Sequence, residues 1–168
     1  MAAGPPISLK ARALGWLAQR EQSVAELRRK LLRVARRERA GPDSDETALA
    51  DAGSEVEAVI EWLLANRHLS EERFVESRIH ARAARYGNQR IRQELAQHGL
   101  SISGEAAQAL KDSELARAAE VWRRKFGAPP VDVAERAHQS RFLAQRGFSA
   151  EVIGRVMRHA GEPPPDGD

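Results

Sequence analysis

Three times in this 168-residue chain a helix-forming stretch runs into one large apolar residue followed by serine: Leu69-Ser70, Leu100-Ser101 and Phe148-Ser149. The approaches to the last two are nearly the same, Gln97-His98-Gly99 and Gln145-Arg146-Gly147, so the pattern Q-x-G-[LF]-S recurs. A second echo pairs Leu27-Arg-Arg-Lys-Leu31 with Ile91-Arg-Gln-Glu-Leu95. Self-similarity of this kind marks stacked helical modules, each too small to bury a robust core alone. The spacing predicts an all-α fold of three tandem three-helix repeats, over 8–67, 70–111 and 113–160, forming an elongated array that can curve. One compact nine-helix bundle is the competing arrangement. Residues 1–7 read as a flexible lead and 161–168 as a disordered tail.

Local signals fill in the helices. Leu9, Ala13, Trp16 and Leu17 share a face near 8–20. Ser23 and Glu26 have capping-box spacing and open a second helix through Leu27, Leu31 and Val34. The segment 40–53 then holds Asp43, Asp45, Glu46 and Asp51 and no basic residue, and reads as an acidic insertion with at most a short helical turn. Ser54 and Glu57 repeat the capping-box spacing and predict a third helix ending near Asn66. Ser70 caps a fourth, which Gly87 is expected to end by adopting left-handed backbone. A fifth carries Ile91 and Leu95. A short helix over 101–110 and another opened by Ser113 follow, then helices near 131–146 and 149–159. Trp16, Trp62, Trp122, Phe74, Phe126 and Phe142 sit at apolar spacings and read as core. Tyr86, at a helix end beside Arg85, is the aromatic best placed to stack on a base, although packing is favoured for it too.

Several chemistries are excluded. No cysteine is present, which removes disulfide scaffolds and thiolate metal sites and fits a reducing compartment. No run approaches membrane-spanning length and the start lacks a signal-peptide core, so a soluble cytoplasmic protein is expected, without a membrane partner. There is no phosphate-loop motif, no paired histidines at zinc-hydrolase spacing and no glycine-flanked serine elbow. The chain therefore reads as a non-enzyme with no catalytic residues, no cofactor and no metal.

Binding is the better-supported class. The chain has 27 Lys and Arg against 24 Asp and Glu, and the excess is unevenly placed. Between Lys10 and Arg39 there are ten bases against three acids. The candidate contacts are Arg28, Arg29, Lys30, Arg33, Arg36 and Arg37 in the first module and Arg78, Arg82, Arg85, Arg90 and Arg92 in the second. Arg123, Arg124, Lys125, Arg141 and Arg146 complete the set in the third. Arg78, Arg82 and Arg85 fall at i, i+4, i+7 and are expected to share one helix face. Guanidinium groups match phosphate oxygens and carboxylates alike, so both DNA and an acidic protein surface fit.

The order and spacing of several stretches together resemble one family, the RecX regulatory proteins. They are Leu14-Gly-Trp-Leu17 with Glu26-Leu27-Arg-Arg-Lys-Leu31, Glu72-Arg73-Phe74-Val-Glu-Ser77-Arg78, Gly87-Asn-Gln-Arg90-Ile91-Arg92-Gln-Glu94-Leu95 and Arg141-Phe142-Leu143-Ala-Gln-Arg146-Gly147-Phe148-Ser149. The resemblance covers about residues 8–160, and the acidic 40–53 segment departs from the usual pattern. It implies three tandem three-helix repeats and binding to RecA filaments on single-stranded DNA, with duplex DNA a further partner. It also implies modulation, chiefly inhibition, of RecA ATP hydrolysis, strand exchange and repressor cleavage. A monomer is expected. The alternative is a helix-turn-helix-like general DNA-binding protein acting independently of RecA.

Overall fold

A computed structural model describes residues 7–40 and 46–160, and the side chain of Ala48 lies outside that description. The lead at 1–6, the tail at 161–168 and residues 41–45 of the acidic segment also fall outside it. Among the described residues there are eight α-helices and no strand. The chain divides into two compact units, one up to Val75 and one from Glu76 onward.

The first unit is built on α1 (Leu9–Gln19), α2 (Val24–Arg39) and α3 (Glu46–Ala65). Its caps follow the sequence. The backbone N–H of Ala11 donates to Ser8 Oγ at 3.2 Å, and that of Glu26 to Ser23 Oγ at 3.1 Å. Leu9, Ala13, Leu27, Leu31 and Ala35 close against Val56, Ile60 and Leu63 of α3, with Leu69 beneath. Trp16 and Trp62 pack partly buried on this core, as their spacing predicts. The acidic segment is a correction. From Glu46 onward it is helix, unbroken through to Ala65, and Ala52 is fully buried in the core. Ala52, Val56, Ile60 and Leu63 form one stripe, so the helix begins two turns before the expected start. Ser54 is consequently no cap, and its hydroxyl donates to Ala50 O at 3.2 Å inside the helix.

Ion pairs line the outside of this unit. Arg28 grips Glu57 through two hydrogen bonds of 2.6 and 2.9 Å, and Arg39 pairs with Glu55. These hydrogen bonds hold the Glu57 carboxyl below its ordinary pKa, against a smaller desolvation that raises it. A carboxyl depressed in the folded state contributes stability above its unfolded pKa, and that contribution is lost as pH falls through the folded value. Both side chains are partly exposed, at 39 % and 47 %, so solvent screening keeps the effect small. Glu57→Gln is expected to cost about 0.5 kcal/mol near neutral pH and nothing near about pH 2. Urea unfolding of both proteins at the two pH values checks this.

The helix α4 (Glu71–Arg82) opens at Ser70, whose Oγ accepts the N–H of Arg73 at 3.2 Å. The second unit continues with α5 (Asn88–Ala96), α6 (Gly104–Lys125), α7 (Val133–Gln145) and α8 (Ala150–Arg158). The two helices expected over 101–126 are one helix of 22 residues, α6. Nothing between Glu105 and Lys125 breaks it, and Ser113 donates back to Ala109 O at 2.8 Å rather than capping a new start. Val121 and Trp122 of α6 meet Leu143 of α7, Phe148, and Val152, Ile153, Val156 and Met157 of α8. Buried Gln139 satisfies the Trp122 indole, which donates to its Oε1 at 2.7 Å.

Gly87 is a second correction. Its φ is −77°, so it supplies no left-handed stop but is the extended N-cap of α5. What the position requires is the absence of a side chain. A Cβ there would lie 2.3 Å from the backbone of Gly147 and Phe148. The two segments pair main chain to main chain: Gly87 N–H donates to Arg146 O at 2.8 Å and Gln89 N–H to Gly147 O at 3.1 Å. Gly147, in the second Q-x-G-[LF]-S connector, does adopt positive φ, +85°. A Cβ on it would meet Arg90 Cβ at 2.5 Å.

Candidate nucleic-acid interface

Some of the candidate cations are engaged by carboxylates, and others have no such partner among the described residues. Arg28 is held by Glu57, while Arg123 and Arg124 share Glu120 at 2.5 and 2.8 Å. Lys30 bonds Gln22 at 2.9 Å and lies 3.5 Å from Glu26. Arg29, Arg33, Arg36 and Arg37 of α2 are exposed and have no carboxylate partner among the described residues. Arg29, Arg33 and Arg37 follow at i, i+4, i+8, about 6 Å apart along the axis. Like charges at i, i+4 repel, so this ridge carries a small standing cost that a bound polyanion would relieve.

A second concentration lies in the other unit, around Tyr86. The guanidinium of Arg90 stands 4.8 Å from the centre of the Tyr86 ring, with Arg82 at 5.7 Å and Arg146 at 5.8 Å. Arg146 also lies 4.6 Å from the Phe142 ring and donates to Arg85 O at 3.2 Å. Among the described residues Glu94 is the one carboxylate given to the group, 3.0 Å from Arg82 and 3.6 Å from Arg90, so the cluster keeps an excess of positive charge. Of the expected face, Arg78 and Arg82 stand at i, i+4 on α4, which ends at Arg82, and Arg85 sits in the turn beyond it. Arg78 has an interaction of its own. Arg85, Arg92 and Arg141 are exposed, and Lys125 lies 5.9 Å from the Phe142 ring.

The residue that builds this site, Arg117, is absent from the sequence candidates. Its Nη1 donates to Ala83 O at 3.0 Å and Tyr86 O at 2.8 Å, satisfying carbonyls at the end of α4. Its Nη2 donates to Asn88 Oδ1 at 2.5 Å and Leu110 O at 3.1 Å. Asn88 in turn donates through its backbone and side chain to buried Glu114, at 3.0 and 3.1 Å. Burial lowers the Arg117 pKa and the Glu114 charge opposes that shift. Leu110, Glu114, Arg117, Ala118 and Val121 fall on one side of α6. An Arg-Glu pair at i, i+3 within an apolar stripe is the sign the sequence offers.

Among the described residues no group of histidines and acids could hold a metal ion, and no helix is long and apolar enough to cross a membrane.

Family comparisons agree with this architecture. Models of the second and third three-helix domains of RecX match residues 70–103 and 112–157. A regulatory protein RecX from Herbaspirillum seropedicae is 50 % identical over 160 residues, covering 93 % of each chain. One from Ralstonia nicotianae is 47 % identical over 165 residues, covering 97 % of this chain and 94 % of the relative. One from Ectopseudomonas mendocina is 40 % identical over 162 residues, 94 % and 97 % of the two chains. These relatives are named as regulatory proteins rather than as enzymes. With helices throughout, three-helix domains in the expected order and relatives matching nearly its whole length, the chain belongs to the RecX family of regulatory proteins.

Proposed function

We propose that this protein binds RecA filaments on single-stranded DNA and limits their ATP hydrolysis, strand exchange and coprotease activity. The observation that carries the reading is the α2 ridge. Arg29, Arg33, Arg36 and Arg37 stay exposed while Arg28 and Arg39 of the same helix pair with acids of α3. Exposed guanidiniums repeating along a helix, without a carboxylate partner among the described residues, suit a polyanion, and ordered blocks of one sign produce a field that steers association. Membership of the RecX family points to RecA as the protein partner. Binding at several points along a filament raises avidity without a catalytic group, provided the spacing matches. The chain acts in the cytoplasm as a monomer.

The test is single-stranded-DNA-dependent ATP hydrolysis by the cognate RecA, titrated with this protein well below equimolar. Turnover is expected to fall at substoichiometric amounts. Reversing Arg29, Arg33 and Arg37 to Glu is expected to relieve that inhibition by about tenfold in the amount required, since each lost phosphate contact also flattens the salt dependence by about 0.7 in log–log slope. Unchanged turnover up to equimolar protein, with DNA still bound, would instead favour a general DNA-binding protein.

A further inference from the structure

We propose that Tyr86, framed by Arg82, Arg90 and Arg146, is a nucleotide subsite that selects single-stranded over duplex nucleic acid. The inference rests on the nucleic-acid part of the function proposed above. Three guanidiniums within 6 Å of one ring repel one another, and Glu94 engages two of them while Arg146, among the described residues, bonds a neutral carbonyl of the group and no carboxylate. A phosphate between Arg90 and Arg146 completes the neutralisation.

The aromatic supplies the second half of the argument. Tyr86 is the chain's single tyrosine and is partly exposed. The scaffold uses its main chain, since Arg117 holds its carbonyl at 2.8 Å and the adjoining Gly87 is paired to Arg146 O. Backbone and ring thus have separate employments. The guanidiniums lie over the Tyr86 ring in cation–π contact, and an unpaired base stacks on such an arginine–aromatic layer or takes a guanidinium's place on the ring. Bases of a duplex keep their faces on one another and offer none to such a ring. An acidic peptide would use the guanidiniums but has no need of the aromatic between them.

The full chain is titrated onto a fluorescein-labelled oligothymidylate and onto a duplex of equal length, without RecA. Tyr86→Leu is expected to weaken oligothymidylate binding about tenfold and duplex binding by less than about twofold, while Tyr86→Phe keeps both. Undiminished binding of the single strand by Tyr86→Leu, or equal loss on the duplex, overturns the proposal. Should the leucine variant misfold, ultraviolet crosslinking of wild-type protein to iodouracil-substituted single strands decides the matter. Attachment at Tyr86 supports the subsite, and attachment only elsewhere overturns it. Failure here is separable from failure of the regulatory reading. Wild-type protein that lowers RecA turnover without binding oligothymidylate sinks the subsite alone. Tyr86-dependent binding without an effect on turnover sinks filament inhibition alone.

Discussion

Replacing Gly147 with alanine is expected to destabilise the second unit by about 3 kcal/mol or more, because two costs fall on one residue. The first is conformational: at φ +85° an L side chain is strained. The second is steric, as the new Cβ would stand 2.5 Å from Arg90 Cβ and 2.6 Å from Arg90 N, neither of which is the free end of a side chain. Two companion variants separate these contributions. Gly99 has φ +74° and open space where a Cβ would stand, so Gly99→Ala is expected to show the conformational cost alone, about 1 kcal/mol. Gly87 has ordinary φ but would press a Cβ against the carbonyl of Gly147 at 2.3 Å, so Gly87→Ala isolates the steric cost, about 2 kcal/mol or more. Urea unfolding of the three variants gives the values. A Gly147→Ala protein no less stable than Gly99→Ala would contradict the close main-chain pairing.

Truncating Arg117 is expected to be nearly as damaging, at about 2–4 kcal/mol for Arg117→Ala. Five hydrogen bonds end on its guanidinium, four of them to Ala83, Tyr86, Asn88 and Leu110 and one to Ser113 Oγ at 3.1 Å. Their loss strands carbonyls at the end of α4, frees the Asn88 side chain that donates to Glu114, and removes the positive charge facing that carboxylate, which is 7 % exposed. Arg117→Lys keeps the charge but a single ammonium cannot span carbonyls on both sides of the site, so at most half of the stability should return. Thermal unfolding measures the loss, and oligothymidylate titration of the still-folded lysine variant reports whether Tyr86 has lost its position. Stability within about 1 kcal/mol of wild type for Arg117→Ala would mean that water replaces the network at little cost.

How far the sequence reveals this molecule is clearest at its serines. Ser23 and Ser70 are legible as N-caps, Ser149 of the third connector joins them in the structure, and each accepts the backbone N–H three residues on. Ser54 and Ser113 carry the same local signature and are mid-helix. The difference lies upstream. Leu69 and Phe148 come after residues in left-handed backbone, Arg67 and Gly147, which stop the preceding helix. Asp51-Ala-Gly before Ser54 and Lys111-Asp before Ser113 supply no stop, and a serine hydroxyl can return to the carbonyl four residues back. A capping signature therefore marks a helix start only where something has ended the helix before it. The aromatic core is legible from apolar spacing because burial repeats with helical period. The Tyr86 cluster is not, because Arg146 lies 61 residues from Arg85 and reaches it through the Gly87–Gly147 pairing. Periodicity along one helix cannot register a face assembled from three segments. It also overstates Arg28, which pairs with Glu57, and the Arg123–Arg124 pair, which shares the single carboxylate of Glu120.

The unbroken α6 has a bearing on how such a protein can change over evolutionary time. Tandem arrays ordinarily lengthen or shorten at the joints between units, where a loop absorbs any number of residues. Here the end of the second domain match and the start of the third, 103 and 112, bracket the first part of one continuous helix. One residue added between Asp112 and Ser113 would turn everything after it by about 100°. The core of Ala118, Val121, Trp122, Leu143 and Phe148 would turn as one body, while Glu114 and Arg117 would be carried away from Asn88 and Gly147 away from Gly87. Single-residue length variation is thus barred within 105–125 and belongs instead in the connector at 97–103, where Gly99 has open space around it.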